Sequence, residues 1–310
     1  MATTVLCALK KKYGFNCQLD FAVDAECSEV LSGDNRISKI YSLPKYWRKK
    51  ASIFRKFLYG ISRFRSYDLI VCLDARLSII VPIFFVNKNI YSFMQGWRAI
   101  FQCNKISETD LFKGCNRKIG LFLAAALGGE DKGDIARDSC IPNIYKSGLS
   151  ISTHSDSSKK ILFCPGGGRN FGEIKSGKII PSDIFLNLIE RFSSQEVEFI
   201  AVGDEFDRSY AEYLVSSGAS LSNFCGLTSW SQLEQMLITS ALFIGPDSGT
   251  LHLAVALGRP TIGLYRVTAS EDFGYNNARN VSVLLQGGEN NFTDDINLIS
   301  SYIGNFLNEK

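Results

Sequence analysis

Asp247-Ser248-Gly249-Thr250 follows the apolar run Ala241–Gly245 and leads into a helical pattern, Ser248–Leu257, that carries His252. That order places backbone N–H groups, a hydroxyl and an imidazole at one helix N-terminus. Free amides and the helix dipole favour an anion there by about 0.3–1 kcal/mol per charge. The same residues have a plainer use. Asp247 or Ser248 would cap the helix, and a lone histidine such as His252 is more often a packed group than a ligand. A serine nucleophile is excluded on spacing: the sharp hydrolase turn needs G-x-S-x-G, and Pro246 and Thr250 stand where its glycines belong.

Two further segments could meet a phosphate or a sugar hydroxyl. Pro165-Gly166-Gly167-Gly168 follows the apolar run Ile161–Cys164, and glycines at a strand end let a ligand approach the backbone closely. The segment matches neither the P-loop nor the dinucleotide-fold spacing. Lys178, farther along it, would neutralise a phosphate or remain a solvated loop lysine. Gly203-Asp204-Glu205-Phe206-Asp207 follows the run Val197–Gly203. Acids at such a strand end bind ribose in nucleotide folds, and they cap helices equally well.

The elements that must hold these segments alternate. Strands are expected at Ile161–Cys164, Val197–Gly203, Ala241–Gly245 and Pro260–Tyr265. Helices are expected from Pro181 to Phe192, through Tyr210–Leu214, over Trp230–Ser240 and Ser248–Leu257, and at Phe292–Leu307. Near-continuous apolar strands separated by helices imply a parallel sheet covered on both faces. The N-terminal half reads similarly, with helices at Thr3–Tyr13, Ile53–Phe64 and Ile119–Leu127 and strands at Cys17–Val23 and Tyr67–Leu73. Lys146–Ser158 lacks apolar periodicity and is the expected linker. The expectation is two α/β Rossmann-like domains, 1–150 and 151–310, facing across a cleft, with the final helix free to cross back. A doubly wound domain opens on a strand, whereas this chain opens on a helix. The first strand and its loop are therefore expected upstream of Met1.

Composition narrows the classes. At 310 residues, two domains fit, and 45% hydrophobic with 21% charged residues describes a globular chain. A net charge of +3 does not make nucleic acid a default partner. The nine cysteines include no C-x-x-C, and His154 and His252 have no cysteine close in sequence, so no zinc site is expected. Scattered cysteines suit a reducing cytosol. Met1–Leu9 lacks the basic start of a signal peptide, and the apolar run Ile79 to Val86 is too short to span a bilayer. A cytoplasmic protein is expected. Lys45–Arg65 is rich in Lys and Arg and holds no acid, with Ile53, Phe54, Phe57, Leu58, Ile61 and Phe64 on one helical face. That face either packs on the sheet or rests on an anionic membrane at the inner surface of the cytoplasmic membrane.

Taken in order, these segments resemble glycosyltransferase family 9, the heptosyltransferase-like enzymes of lipopolysaccharide synthesis. The family's D-[ST]-G, H-x-A-x-A-x-G-x-P pattern is met by Asp247, Ser248, Gly249, His252, Ala254, Ala256, Gly258 and Pro260. Its P-G loop and K-x-W-P are met by Pro165–Gly168 and Lys178–Pro181, with Ile180 replacing the tryptophan. Gly203 with Glu205 resembles its G-x-E region, and Cys225–Thr228 its G-x-T segment. The resemblance implies a GT-B fold and inverting, metal-independent transfer of a sugar from a nucleotide donor, usually ADP-heptose, to a glycolipid or oligosaccharide acceptor of the cell envelope. No cofactor is implied. It further implies donor binding by Gly166, Gly167, Lys178, Glu205, Asp247, Ser248, Gly249 and His252. The family's base is an aspartate in the loop before the first helix, which would lie upstream of Met1; Asp74 is the nearest substitute in this sequence. Two other readings stay open: a non-catalytic or truncated nucleotide-sugar-binding protein of the same fold, and a GT-B nucleotide-sugar epimerase.

Overall fold

The computed structural model describes residues 1–43, 52–74, 77–87, 89–92, 115–128, 139–146, 159–166, 176–287 and 291–308. The chain forms two compact units, Met1–Gly148 and Leu149–Lys310. Of the expected linker, residues 147–158 lie outside the described residues, as do the glycines 167 and 168.

The C-terminal unit is one six-stranded parallel sheet. Its strands are β5 (Lys159–Phe163), β6 (Val197–Ala201), β7 (Ser222–Asn223), β8 (Leu242–Pro246), β9 (Thr261–Tyr265) and β10 (Asn280–Leu284), in spatial order β10-β9-β8-β5-β6-β7. The central strands read as unbroken apolar runs because both of their faces are covered. Ile161 and Phe163 of β5, with Leu242 and Ile244 of β8, enter one core with Phe185, Leu188, Leu214, Ile299 and Ile303. Leu162 and Phe243, of opposite parity, are equally buried. The helices Ser182–Phe192, Arg208–Ser216 and Thr293–Asn308 supply the first core. Trp230–Thr239 and Gly249–Ala256 complete the set of long helices here. Sequence periodicity did not anticipate β10 or the two-residue β7, which are the edge strands of the sheet.

The N-terminal unit opens on α1 (Thr4–Tyr13), followed by β1 (Asp20–Asp24), α2 (Ala25–Leu31), β2 (Lys39–Leu43), α3 (Ile53–Phe64), β3 (Ile70–Cys72), α4 (Leu77–Phe84), β4 (Ile90–Ser92) and α5 (Arg117–Leu127). Among the described residues its strands form two separate parallel pairs, β1-β2 and β3-β4. A cavity of about 1380 Å³ is lined by every residue of β1 and of β3, but only by alternate residues of β2: Lys39, Tyr41 and Leu43. Consecutive residues on a strand point to opposite faces. A cavity that touches all of them therefore meets the strand along its edge.

Two N-terminal strands are shorter than expected, for a local reason. The segment expected as Tyr67–Leu73 is a strand only over Ile70–Cys72, because Asn87 and Asn89 side chains donate to the carbonyls of Tyr67 and Asp68 at 2.6 and 2.5 Å. The segment expected as Cys17–Val23 is a strand only from Asp20, since Lys10 Nζ takes the carbonyls of Phe15 and Cys17. The unit's end is tied back by a buried pair: Arg36 meets Asp34 at 2.6 Å and donates to Asn143 O at 2.8 Å.

The packing expected of α3 is only half present. Ser52 caps the helix by accepting from Arg55 N. Lys56 and Gly60 face inward, and Phe57 and Phe64 are half-buried, yet Phe54, Leu58 and Ile61 are exposed. α4 packs on this helix, and one edge of the apolar arc faces outward. Of Lys45–Arg65, residues 45–51 lie outside the described residues.

Candidate functional site

In the C-terminal unit the strand order reverses direction between β5 and β8, which pair at Ile161↔Leu242. Loops leaving such neighbours diverge and open a crevice at the carboxyl ends of the strands, the place where open α/β sheets bind ligands. Pro165-Gly166 leaves β5 there, and Asp247-Ser248 leaves β8.

Lys178 reaches this point from a short 3₁₀ turn, Ser176–Lys178. The turn is held on several sides. The Ile180 N–H donates to Pro165 O at 3.0 Å, the Tyr210 hydroxyl donates to Ile180 O at 2.7 Å, and the Ile180 side chain is fully buried. Gly177 lies against Val267 so closely that a Cβ would come within 2.8 Å of it. The ammonium so placed donates to Asp247 Oδ2 at 2.7 Å and to Asp247 O at 3.0 Å.

Asp247 also meets His252, whose Nε2 lies 3.2 Å from Oδ1. Helical side chains lean toward the N-terminus, so His252, one turn in, points back at the residue before the cap. The Tyr275 hydroxyl lies 2.9 Å from His252 Nδ1. Burial alone would raise the Asp247 carboxyl, but the hydrogen bonds and charges of His252 and Lys178 outweigh it and hold the pKa down at about 2. Burial pushes His252 down, offset only in part by Asp247, so the ring is neutral at pH 7. With an anion at Nε2, that nitrogen carries the proton, and Nδ1 accepts from Tyr275. The network is directional: Tyr275 to His252 to Asp247, with Lys178 donating from the other side.

Capping falls to Ser248 rather than Asp247. Its hydroxyl accepts from Leu251 N at 3.2 Å, a contribution of about 0.5–2 kcal/mol. That leaves the N–H groups of Gly249 and Thr250 in the first turn outside the cap. A Cβ built on Gly249 would meet nothing closer than Trp230 at 3.9 Å. Packing therefore does not demand glycine at 249, whereas an approaching ligand would.

The other glycines are explained by the protein itself. A Cβ on Gly166 or on Gly203 would overlap the Asp207 carboxylate, which also accepts from Asp204 N at 3.0 Å. Asp204 in turn accepts from Phe206 N at 2.8 Å, so these two acids form a capping box. Glu205 is the acid that capping leaves over; it is exposed and lies 3.1 Å from Arg208. Gly226, at φ +70°, packs directly on the Glu205 backbone, which brings the Cys225–Thr228 segment and Glu205 together.

Of the residues singled out in the sequence, Lys178, Asp247, Ser248, Gly249 and His252 gather at one helix start. Gly166 and Glu205 end neighbouring strands of the same sheet. Gly167 lies outside the described residues. Asp74 belongs to the N-terminal unit, where it follows β3, lines the cavity and supports the charge of Lys118, an ammonium that burial otherwise weakens. Sequence reading missed Tyr275, which follows Gly274 in no recognisable motif, and Asp24, which ends β1 and lines the same cavity. Among the described residues no three His, Cys, Asp or Glu side chains cluster to hold a metal ion.

The profile of glycosyltransferase family 9 (heptosyltransferase) matches residues 136–295. Among solved structures, ADP-heptose lps heptosyltransferase II from E. coli is similar at TM-score 0.71 and 18% identity, over 99% of this chain and 94% of that one. A glycosyl transferase family 9 protein from Veillonella parvula reaches 0.69 at 14%, over 98% and 85%. E. coli heptosyltransferase WaaC, solved with ADP-2-deoxy-2-fluoro heptose, reaches 0.68 at 14%, over 98% and 96%. No curated protein sequence matches the chain. No helix among the described residues is long and apolar enough to cross a membrane.

Proposed function

Because the chain belongs to glycosyltransferase family 9, we propose that it transfers a heptose-like sugar from an ADP-linked donor to a lipopolysaccharide or related cell-envelope glycan, with inversion and without a metal ion. The observation that carries this reading is the Lys178–Asp247–His252 network at the start of the Gly249–Ala256 helix. Asp247 is ionised and engaged by two partners, which makes it an anchor and a poor base. It fixes Lys178 beside the amides of Gly249 and Thr250. Donor groups fixed before reaction stabilise charge as it develops, and removing one such group commonly costs about 10²–10³ in rate. Here the developing charge is on the departing nucleoside diphosphate.

The acceptor hydroxyl attacks the anomeric carbon opposite that leaving group. The new C–O bond forms as the C–O bond to the diphosphate breaks, and the hydroxyl proton passes to a carboxylate. Asp74 is the carboxylate to test in that role. Glu205, exposed after β6, suits the ribose hydroxyls.

The test is nucleotide release from ADP-, UDP-, GDP- and dTDP-sugars with a lipopolysaccharide-core acceptor. Turnover is expected with ADP-heptose, falling about 10²-fold or more in Lys178→Met. Tight nucleotide binding without turnover on any donor would replace this reading with a non-catalytic donor-binding one, and an isomerised nucleotide sugar would replace it with an epimerase. Unchanged turnover in Asp74→Asn would remove Asp74 as the base.

A further inference from the structure

Two cysteines of the N-terminal unit share a hydrogen bond. Cys115 precedes Asn116, the capping residue of α5, and Cys140 lies beyond that helix in sequence, yet the Cys115 thiol donates to the Cys140 sulfur. Neither belongs to a motif read from the sequence, and the Lys178–Asp247–His252 network uses neither.

The contact is held from both ends. On one side the Asn116 side chain accepts from Ile119 N at 2.9 Å and its carbonyl accepts from Gly120 N at 3.0 Å, which fixes the start of α5 beside Cys115. On the other, the Asn143 side chain accepts from the Cys7 thiol at 3.4 Å. The Tyr145 N–H donates to Asp34 Oδ2 at 3.2 Å, and the Asn35 N–H donates to Tyr145 O at 2.8 Å. Two separately anchored segments thus present their sulfurs to each other, and a disulfide of about 2.05 Å would shorten a contact that already exists.

The two thiols differ in a way that gives each a part. Accepting a hydrogen bond favours the Cys140 thiolate and holds its pKa below the ordinary thiol value, against the opposing effect of burial. Cys115, the donor, is raised by the same bond and by burial, so it keeps its proton. Cys140 is 8% exposed, which suits a small oxidant better than a protein one, and Cys115 is half-buried. Cys164 and Cys225, electrostatic neighbours in the C-terminal unit, show the opposite arrangement. Burial first and the Asp207 charge next push Cys225 up to about 12 and Cys164 well above its ordinary value.

We propose that Cys115 and Cys140 form a reversible disulfide on exposure to a peroxide. The Cys140 thiolate attacks one oxygen of hydrogen peroxide, the O–O bond breaks, and the departing hydroxide takes up a proton, leaving a sulfenic acid. The Cys115 sulfur then attacks the Cys140 sulfur. The S–O bond breaks, hydroxide leaves with the Cys115 proton as water, and the S–S bond forms. Both sulfurs are oxidised and the peroxide is reduced to water. A dithiol reverses the step by exchange, becoming a disulfide itself. The bond fastens the start of α5, whose Lys118 lines the cavity with Asp74. In a reducing compartment such a bond is transient and reports oxidant rather than holding the fold.

The test is peptide mapping by mass spectrometry of the full chain, reduced and then treated with hydrogen peroxide. Two of its nine thiols should be lost, found in one peptide pair joining Cys115 to Cys140, and regained with dithiothreitol. The thermal midpoint should rise on oxidation, because the bond closes residues 116–139 into a loop in the unfolded chain, and dithiothreitol should return it. In Cys115→Ser, dimedone should label Cys140 as a sulfenic acid, and peroxide should no longer raise the midpoint. Thiols at 115 and 140 that survive while other cysteines oxidise would overturn the assignment. So would Cys164 joined to Cys225 in equal yield, or a disulfide that forms only between copies of the chain.

Discussion

Both units are built from short parallel strands joined by helices, but only the C-terminal unit closes them into a single sheet. There β5 has a strand on each side and helices on both faces. In the N-terminal unit β1 and β3 each have one strand partner among the described residues, and their other edges border a cavity. The difference separates rigidity from room. The C-terminal unit sets Lys178, Asp247 and His252 against one another to within hydrogen-bond distances. The N-terminal unit surrounds open volume with carboxylates (Asp20, Asp24, Asp68, Asp74) and ammonium groups (Lys39, Lys56, Lys118).

The contrast is easiest to break in the cores. Phe163 is fully buried in β5, with its ring centroid 4.5 Å from that of Phe185. Phe163→Ala is expected to cost about 3–5 kcal/mol of unfolding free energy. Ile70→Ala in β3 removes a half-buried side chain beside a cavity that already exists, and should cost about 1 kcal/mol. Equal losses in denaturant titrations would mean that the N-terminal unit is packed as tightly as its neighbour.

The pH dependence sharpens the comparison next. The folded-state pKa of His252 lies below the ordinary 6.5, so its contribution to stability is complete above that value and shrinks as pH falls below it, where the unfolded chain takes up the proton first. Asp247, lowered from 3.8 to about 2, contributes about 2 kcal/mol above pH 3.8 that is lost as pH falls through 2. Unfolding measured from pH 7 to pH 5 should therefore weaken the parent more than His252→Gln. Parallel curves would show that His252 titrates as it does in water.

The smallest effect is the most specific. Gly226→Ala forces a side chain into a left-handed conformation against Glu205 and should cost about 1–2 kcal/mol. Gly249→Ala, with open space and no such conformation, should leave stability within about 0.5 kcal/mol of the parent while weakening ADP binding about tenfold. Unchanged ADP affinity would show that no ligand approaches that helix start.

The two units also differ in how far they can be read from residues alone. Runs such as VEFIA and ALFIG stand out because both faces of those strands are covered. KIYSL and NVSVL, which became β2 and β10, alternate partly polar residues at sheet edges and carry no comparable signal. In the site, Asp247, Ser248 and His252 lie within six residues, so one helix turn accounts for their meeting. Lys178 joins them across 69 residues, and Tyr275 reaches His252 across 23. Those contacts depend on strand order and loop packing, which spacing along the chain does not encode. The triple-glycine segment invited a ligand-approach reading, yet at Gly166 the neighbour is the protein's own Asp207.

The reversal in strand order between β5 and β8 also sets a clock. During synthesis, β5 emerges roughly eighty residues before the strand that pairs with its inner edge. At about 5–20 residues per second, the wait is about 4–16 s. Through that interval β6 alone can shield the central strand, and Phe163 has only Phe185 and its neighbouring helices to pack on. The crevice that would receive a donor thus cannot exist until Asp247 has been made, since one of its walls leaves β5 and the other leaves β8.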